Sequence, residues 1–271
     1  MPTAVITGAT SGLGLAFAAH LARDGYDLTL VARIERDLES TADRLRHSGH
    51  RITTMAADLA TSPGSRRLTG RPARSVPDLL VDNAGIALAA PSTGDPGAED
   101  GRLQLNIGCV LRTTQTVLPA MMRRGSGTVI NVASVAAHGP TWLAGTYPAG
   151  KSRVLAFTES IARSAPVRSS GVRVVALLSG YMRTAFHGRA GLEVGHLPSW
   201  MWLNSEQVVT ATMRDLATGR PVSPPGRRYR ACAWGLRHLP RTLTAAFSRD
   251  LGRSQPILPQ AGVPHRADTG T

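Results

Sequence analysis

Lysine is almost missing from this sequence: of its 31 basic residues one is lysine, Lys151, and the rest are arginine. Cysteine is scarce too. Cys109 and Cys232 are the only pair, far apart in apolar surroundings, and they read as small core residues of a protein in a reducing compartment rather than as a disulfide. No run of 18 apolar residues occurs, which excludes a bilayer-spanning helix, and a strand pattern that begins at Thr3 leaves no room for a signal peptide before it. A cytoplasmic protein is expected. Acidic residues are also few, 18 against 31, giving a net charge of +13. Such a charge raises nucleic acid as a partner, but the arginines are scattered over every segment, as coding bias would leave them. No specific nucleic acid is expected, and a small phosphorylated anion is the more economical use of the charge. No metal-ligand cluster is read from the sequence.

What is plentiful is Ala, Gly, Val and Leu, which suits buried parallel strands covered by small-residue helices. Apolar strand-like runs occur at 4–8, 27–32, 51–57, 78–83, 128–134 and 172–178. Helical patterns alternate with them: Leu13 to Asp24, a second marked by Leu38, Ala42 and Leu45, a long one from Leu103 to Met121, and a fourth after Tyr147. This alternation predicts an α/β fold, a single Rossmann-like doubly wound parallel sheet with helices on both faces. It occupies residues 1–250, with 251–271 a flexible tail. Residues 59–77 contain Pro63, Gly64, Gly70, Pro72 and Pro77, so any helix there is short or broken, which removes cover from one sheet edge.

Between the first strand and first helix lies TGATSGLG, residues 7–14. Gly8, Gly12 and Gly14 let the backbone turn tightly and approach a pyrophosphate, whose charge the helix N-terminus meets; Ser11 and Leu13 lie in the same loop. The second strand ends LVAR without the carboxylate expected of an NAD site. Arg33 offers a guanidinium to a 2′-phosphate instead, with Ser11 able to add a hydrogen bond, so NADP(H) is favoured over NAD(H). A solvated arginine at a strand end is the plainer alternative.

Ser134 closes the strand TVINVAS, and Tyr147 and Lys151 follow at i, i+4 spacing on one helical face. A tyrosine with a reference pKa near ~10 needs a fixed neighbouring cation to exchange protons near neutrality. The compact lysine ammonium supplies that charge and also suits the ribose hydroxyls of a nicotinamide nucleotide, which the broad guanidinium fits poorly. This accounts for the one lysine.

The chain from about residue 3 to residue 230 resembles the short-chain dehydrogenase/reductase family, on TGATSGLG, the Asp58-Leu59 pair, DNAG at 82–85, Asn106, Ser134 and YPAGK at 147–151. The resemblance implies hydride transfer between a nicotinamide and a carbonyl or alcohol. Tyr147 would donate the proton, Ser134 would polarise the carbonyl oxygen, Lys151 would hold the ribose and lower the tyrosine pKa, and Asn106 would hold a relay water. Asp58 and Leu59 would border the adenine, while Asn83, Ala84 and Gly85 would line the cofactor channel. Gly180 and Thr184 keep the spacing that brings a threonine hydroxyl to the nicotinamide carboxamide. Three departures from the family pattern stand out: Asp82 replaces an asparagine, Ser179 replaces a proline and should loosen its loop, and Pro148 requires Tyr147 to lie at the very start of its helix.

Residues 186–203, with Phe186, Leu192, Trp200, Met201 and Trp202, read either as an apolar substrate lid or as helices packed on the core. A lid implies a bulky hydrophobic carbonyl substrate such as a 3-oxoacyl thioester, polyketide or steroid-like ketone. The segment 234–249 places Leu236, Leu239, Leu243 and Phe247 at helical spacing, interrupted by Pro240, and suits a membrane surface or a partner subunit. The resemblance implies a homodimer or homotetramer. Two other functions compete with the reductase: a catalytically weak dinucleotide-binding scaffold or regulator, and a nucleic-acid-binding protein.

Overall fold

The apolar runs pair as a seven-stranded, all-parallel sheet in a computed structural model that describes residues 1–46, 49–70, 76–86, 96–139, 146–182, 199–240 and 242–244. Strands β1 (Thr3–Thr7), β2 (Asp27–Ala32), β3 (Ile52–Ala56), β4 (Leu79–Asp82), β5 (Gly127–Ser134) and β6 (Val172–Ser179) correspond to the six expected runs. A two-residue ribbon of β7 (Tyr181–Met182) and β8 (Trp202–Leu203) stands apart, and β9 (Val222–Ser223) completes the main sheet in the order β3-β2-β1-β4-β5-β6-β9. The winding reverses between β1 and β4, which opens a crevice at the carboxyl ends of the strands.

Both faces of the sheet are buried because alternate strand residues serve opposite layers. Ala4 and Ile6 pack with Phe17 and Leu21 of α1 (Gly12–Arg23), Leu38 of α2 (Glu35–Leu45) and Val208 of the helix at Ser205–Ala217. Val5, between them, joins Leu68 of α3 (Ser62–Thr69), Cys109 and Met121. Helix α1 ends just before Gly25, whose φ of +86° suits glycine.

Several expectations are corrected. Residues 59–77 do yield a helix, α3, short as expected. The Thr61 hydroxyl accepts from Gly64 N at 3.1 Å, Pro63 sits harmlessly in the first turn, and buried Leu68 keeps this part of the sheet covered. The long helix expected from Leu103 to Met121 is three pieces: α4 (Pro96–Leu103), a π-helical turn (Gln104–Cys109) and α5 (Val110–Arg124). Helices α6 (Tyr147–Arg163), α7 (Ala165–Ser169), α8 (Ser205–Ala217) and α9 (Gly226–His238) follow. Helix α9 stops at His238, two residues before Pro240, so Leu236, Leu239 and Leu243 do not share one helix; Phe247 and the tail 251–271 lie outside the described residues. Cys109 is buried as expected, but Cys232 is exposed on α9. Neither forms a disulfide.

Strand β9 escapes sequence reading because two residues between prolines carry no periodicity; only the sheet, through Ala176 N donating to Pro221 O at 2.9 Å, makes it a strand. Asp215, at the end of α8, holds this edge together. Its carboxylate accepts from Ser223 Oγ at 2.8 Å and pairs with Arg220 at 3.2 Å and Arg230 of α9 at 3.6 Å, with its side chain 8% exposed. Asp215→Ala leaves these donors without an acceptor and is expected to destabilise the fold by about 3 kcal/mol, read by urea denaturation; a loss under about 0.5 kcal/mol would mean that the cluster is not the tie described.

Candidate active site

At the crevice, the turn from β1 into α1 is closed by the strand beside it. The Asn83 carboxamide donates to the carbonyls of Thr7 at 3.0 Å and Gly8 at 3.2 Å, while the Thr7 hydroxyl accepts from the amides of Asn83 and Ala84 at 2.9 and 3.0 Å. The loop lies so close that a Cβ on Gly14 would fall 2.2 Å from Gly8 O and 2.5 Å from Asn83 Nδ2. Gly8 and Gly12 have φ of +66° and +54°, the left-handed region that glycine enters without strain. Ser11 takes the N-cap position of α1 and Leu13 is buried behind it, so the amide end of the helix faces the cradle. Gly8 N donates to Val31 O, which brings the end of β2 and exposed Arg33 to the same rim. The cradle thus has backbone donors, the positive end of a helix and no room for side chains, the set of features that a dinucleotide pyrophosphate requires.

Asp58 folds into a turn, its Oδ1 accepting from Ala60 N at 3.0 Å and its backbone carbonyl from Thr61 N. Gly64 fits against it, since a Cβ there would stand 2.0 Å from Asp58 O; Leu59 is buried in the core beside it. Across the crevice, Ser134 ends β5, nearly buried, with its Oγ accepting from Ala136 N. Tyr147 is the first residue of α6 and Pro148 the second, so the proline occupies the one turn of a helix that tolerates it and the i, i+4 relation to Lys151 survives.

Lys151 is 4% exposed, donates to Val132 O at 2.7 Å and lies 5.8 Å from the centre of the Tyr147 ring. Burial pulls its pKa down to about 8. Burial pushes the Tyr147 phenol up to about 12, against a hydrogen bond with Ser134 that lowers it. The expected lowering by Lys151 is therefore not met in this geometry. The ammonium lies over the ring and points to a backbone carbonyl, and desolvation dominates both groups. The phenol is consequently in its proton-carrying form at neutral pH, the form a proton donor needs.

Asn106 lies in the π-helical turn, and its carboxamide is fully engaged by the backbone of Ile86, accepting from N at 2.9 Å and donating to O at 2.8 Å. Gly85 fills the gap between Asn106 and Lys151, where a Cβ would lie 2.9 Å from Asn106 Oδ1 and 3.6 Å from Lys151 Nζ. Gly180 is pressed against Tyr229 of α9, whose ring a Cβ would meet at 2.1 Å. The Tyr229 hydroxyl accepts from Tyr181 N at 3.0 Å and donates to Met201 O, so one buried side chain fixes both the strand leaving β6 and the strand returning at β8. The loosening expected from Ser179 is offset: its hydroxyl donates to Ala133 O at 2.9 Å, tying the end of β6 to β5. Thr184 and residues 186–198 of the expected lid lie outside the described residues. Sequence reading missed Thr7 and Tyr229; the first is hidden inside the glycine motif, and the second sits in a basic stretch with no motif at all.

Over most of its length the chain is similar to oxidoreductases of one family. The family model for short chain dehydrogenases matches residues 2–193. An uncharacterized oxidoreductase of Staphylococcus saprophyticus is 31% identical over 189 residues, covering 68% of this chain and 80% of that protein. The very-long-chain 3-oxoacyl-CoA reductase of Mycosarcoma maydis is 30% identical over 240 residues, covering 85% of this chain and 65% of that protein. Among solved structures, a short-chain dehydrogenase from Sphingobium yanoikuyae in complex with NADPH superposes with a TM-score of 0.77 at 28% identity, covering 98% of this chain and 100% of that one.

One buried acid stands directly behind the cradle. Asp82, 2% exposed, accepts from Thr113 through Oδ2, while Oδ1 has no hydrogen-bond partner among the described residues. Burial pushes its pKa up to about 7. The folded state thus holds a proton that the unfolded chain releases near ~4, so this group's contribution is complete at low pH and is lost as pH rises through about 7. Asp82→Asn is expected to flatten the fall in melting temperature between about pH 5 and about pH 8, and to raise stability at the alkaline end by on the order of 2–4 kcal/mol. An unchanged pH slope in the variant would assign the effect to another group.

Proposed function

This chain belongs to the short-chain dehydrogenase/reductase family, and from that membership we propose that it is an NADP(H)-dependent reductase of a bulky, apolar ketone or 3-oxoacyl thioester. The observation that carries the reading is the meeting of Ser134, Tyr147 and Lys151 across the crevice from a glycine cradle that admits no side chain. The cradle, Arg33 and Lys151 would hold the dinucleotide, which when bound supplies a hydride to the carbonyl carbon. Tyr147, kept protonated by burial, would give its proton to the carbonyl oxygen, and Ser134 would donate a hydrogen bond to the same oxygen. Lys151, cationic below about 8, would favour the phenolate left behind. Asn106, whose side chain is engaged by Ile86 inside the π-helical turn, would hold a relay water.

Preference for NADP(H) is supported by exposed Arg33 at the end of β2 and by the absence of a carboxylate there. A large apolar substrate is supported by Tyr181 and Trp202, which meet edge-on at 6.3 Å where the chain leaves and rejoins the sheet, and by the activity named for the Mycosarcoma relative. Fluorescence titration is expected to show NADPH binding at least ~10-fold more tightly than NADH, with Arg33→Ala abolishing the difference; equal affinities in the parent protein would remove the NADP assignment. Across a series of 3-oxoacyl thioesters, kcat/KM is expected to rise with acyl length by ~3-fold or more per added methylene until the pocket is filled. A flat series would exclude an apolar substrate site.

A further inference from the structure

The outer surface of α9 combines two properties that the reductase reading leaves unused. From Leu216 to Arg249 the chain has seven arginines and no aspartate or glutamate, which concentrates more than half of the +13 net charge in one stretch. Helix α9 buries Tyr229 and Ala233, and sets Leu236 against Gly139. The helical repeat therefore turns Arg227, Ala231, Trp234 and His238 outward together. Trp234 is 63% exposed, its ring against that of His238 at 5.3 Å; just past the helix, Leu239 and Leu243 are 47% and 61% exposed. Arg230 and Arg237 are partly neutralised by Asp215 and Glu159, whereas Arg227 and Arg228 have no ion pair among the described residues.

We propose that this face docks on an anionic lipid surface, with Trp234, Leu239 and Leu243 entering the boundary between headgroups and acyl chains, and Arg227 and Arg228 binding lipid phosphates. The chemistry selects this occupant. A second copy docked on the same face would press arginine against arginine, and nucleic acid offers no apolar phase to receive two leucines and an indole. An anionic bilayer supplies both phosphate and hydrocarbon. The contact is peripheral, since among the described residues no helix is long and apolar enough to cross a membrane. Tyr229, on the inner face of the same helix, fixes the strands beside the candidate active site, so docking would hold that site next to the phase in which apolar ketones dissolve. The docking itself does not rest on the reductase reading.

The test floats the purified full chain with vesicles of phosphatidylcholine alone or mixed with phosphatidylglycerol, at low and high salt. Binding is expected to the mixed vesicles only, and to weaken with salt. Each arginine near such a surface is worth about 5-fold in partition, so Arg227→Glu with Arg228→Glu should lower binding about 25-fold or more. Trp234→Ser should remove the part that resists salt. Nucleotide binding should be unchanged in both variants. The proposal is overturned if mixed vesicles fail to bind the chain, if phosphatidylcholine alone binds it equally, or if the distant exposed pair Arg36→Glu with Arg44→Glu causes the same loss. It is also overturned if sedimentation shows Trp234→Ser splitting an oligomer while lipid binding is intact, which would assign the face to a second copy.

Discussion

The carboxamide of Asn83, donated to the carbonyls of Thr7 and Gly8, is the tie on which the rest of the site depends. It holds the glycine loop against the end of β4 at a distance that leaves no room for a Cβ on Gly8 or Gly14. Two things follow from one contact. The amide end of α1 is aimed into the crevice, and the β4 end is fixed where Gly85 can separate Asn106 from Lys151. The cradle and the catalytic wall are therefore positioned by the same few residues, Thr7 and Asn83 to Gly85, at the point where the sheet reverses its winding.

Around that tie the protein places ionisable groups where water cannot help them. Lys151, Tyr147 and Asp82 are all shifted toward their neutral forms by burial. For Tyr147 the shift keeps the proton on the phenol at neutral pH, whereas for Lys151 it works against the ammonium, which persists only below about 8. Asp82 faces away from the crevice, toward Thr113 of α5, so the substitution of an acid in the DNAG motif alters the support of the channel and leaves Asn83 to do its work.

The carboxyl-terminal third ties the sheet edge to the outer surface of the protein. Asp215 clamps β9 and α9 to the sheet edge, and Tyr229 carries that rigidity inward to Gly180, Tyr181 and Met201. What α9 presents outward, arginines with a tryptophan among them, is left unconstrained by these inner contacts. A single helix thus links the geometry of the crevice to the character of the outer surface.

The six main strands, the helices between them and the set Ser134, Tyr147 and Lys151 were legible in the residues themselves, because each rests on local periodicity or on a spacing of four within one helix. The one lysine in a chain of arginines was a chemical signal of the same kind. Pairings between residues distant in sequence were not legible. The Asn106 carboxamide, inside the π-helical turn, is held by Ile86, 20 residues away; the grip on Gly180 comes from Tyr229; and β9 exists because β6 offers it an edge. Tertiary structure also decided the ionisation of the site, since desolvation depends on what surrounds a side chain and not on its neighbours in the chain. Sequence alone determined which ionisable groups could share one helical face; the packing around them decided which protons those groups hold.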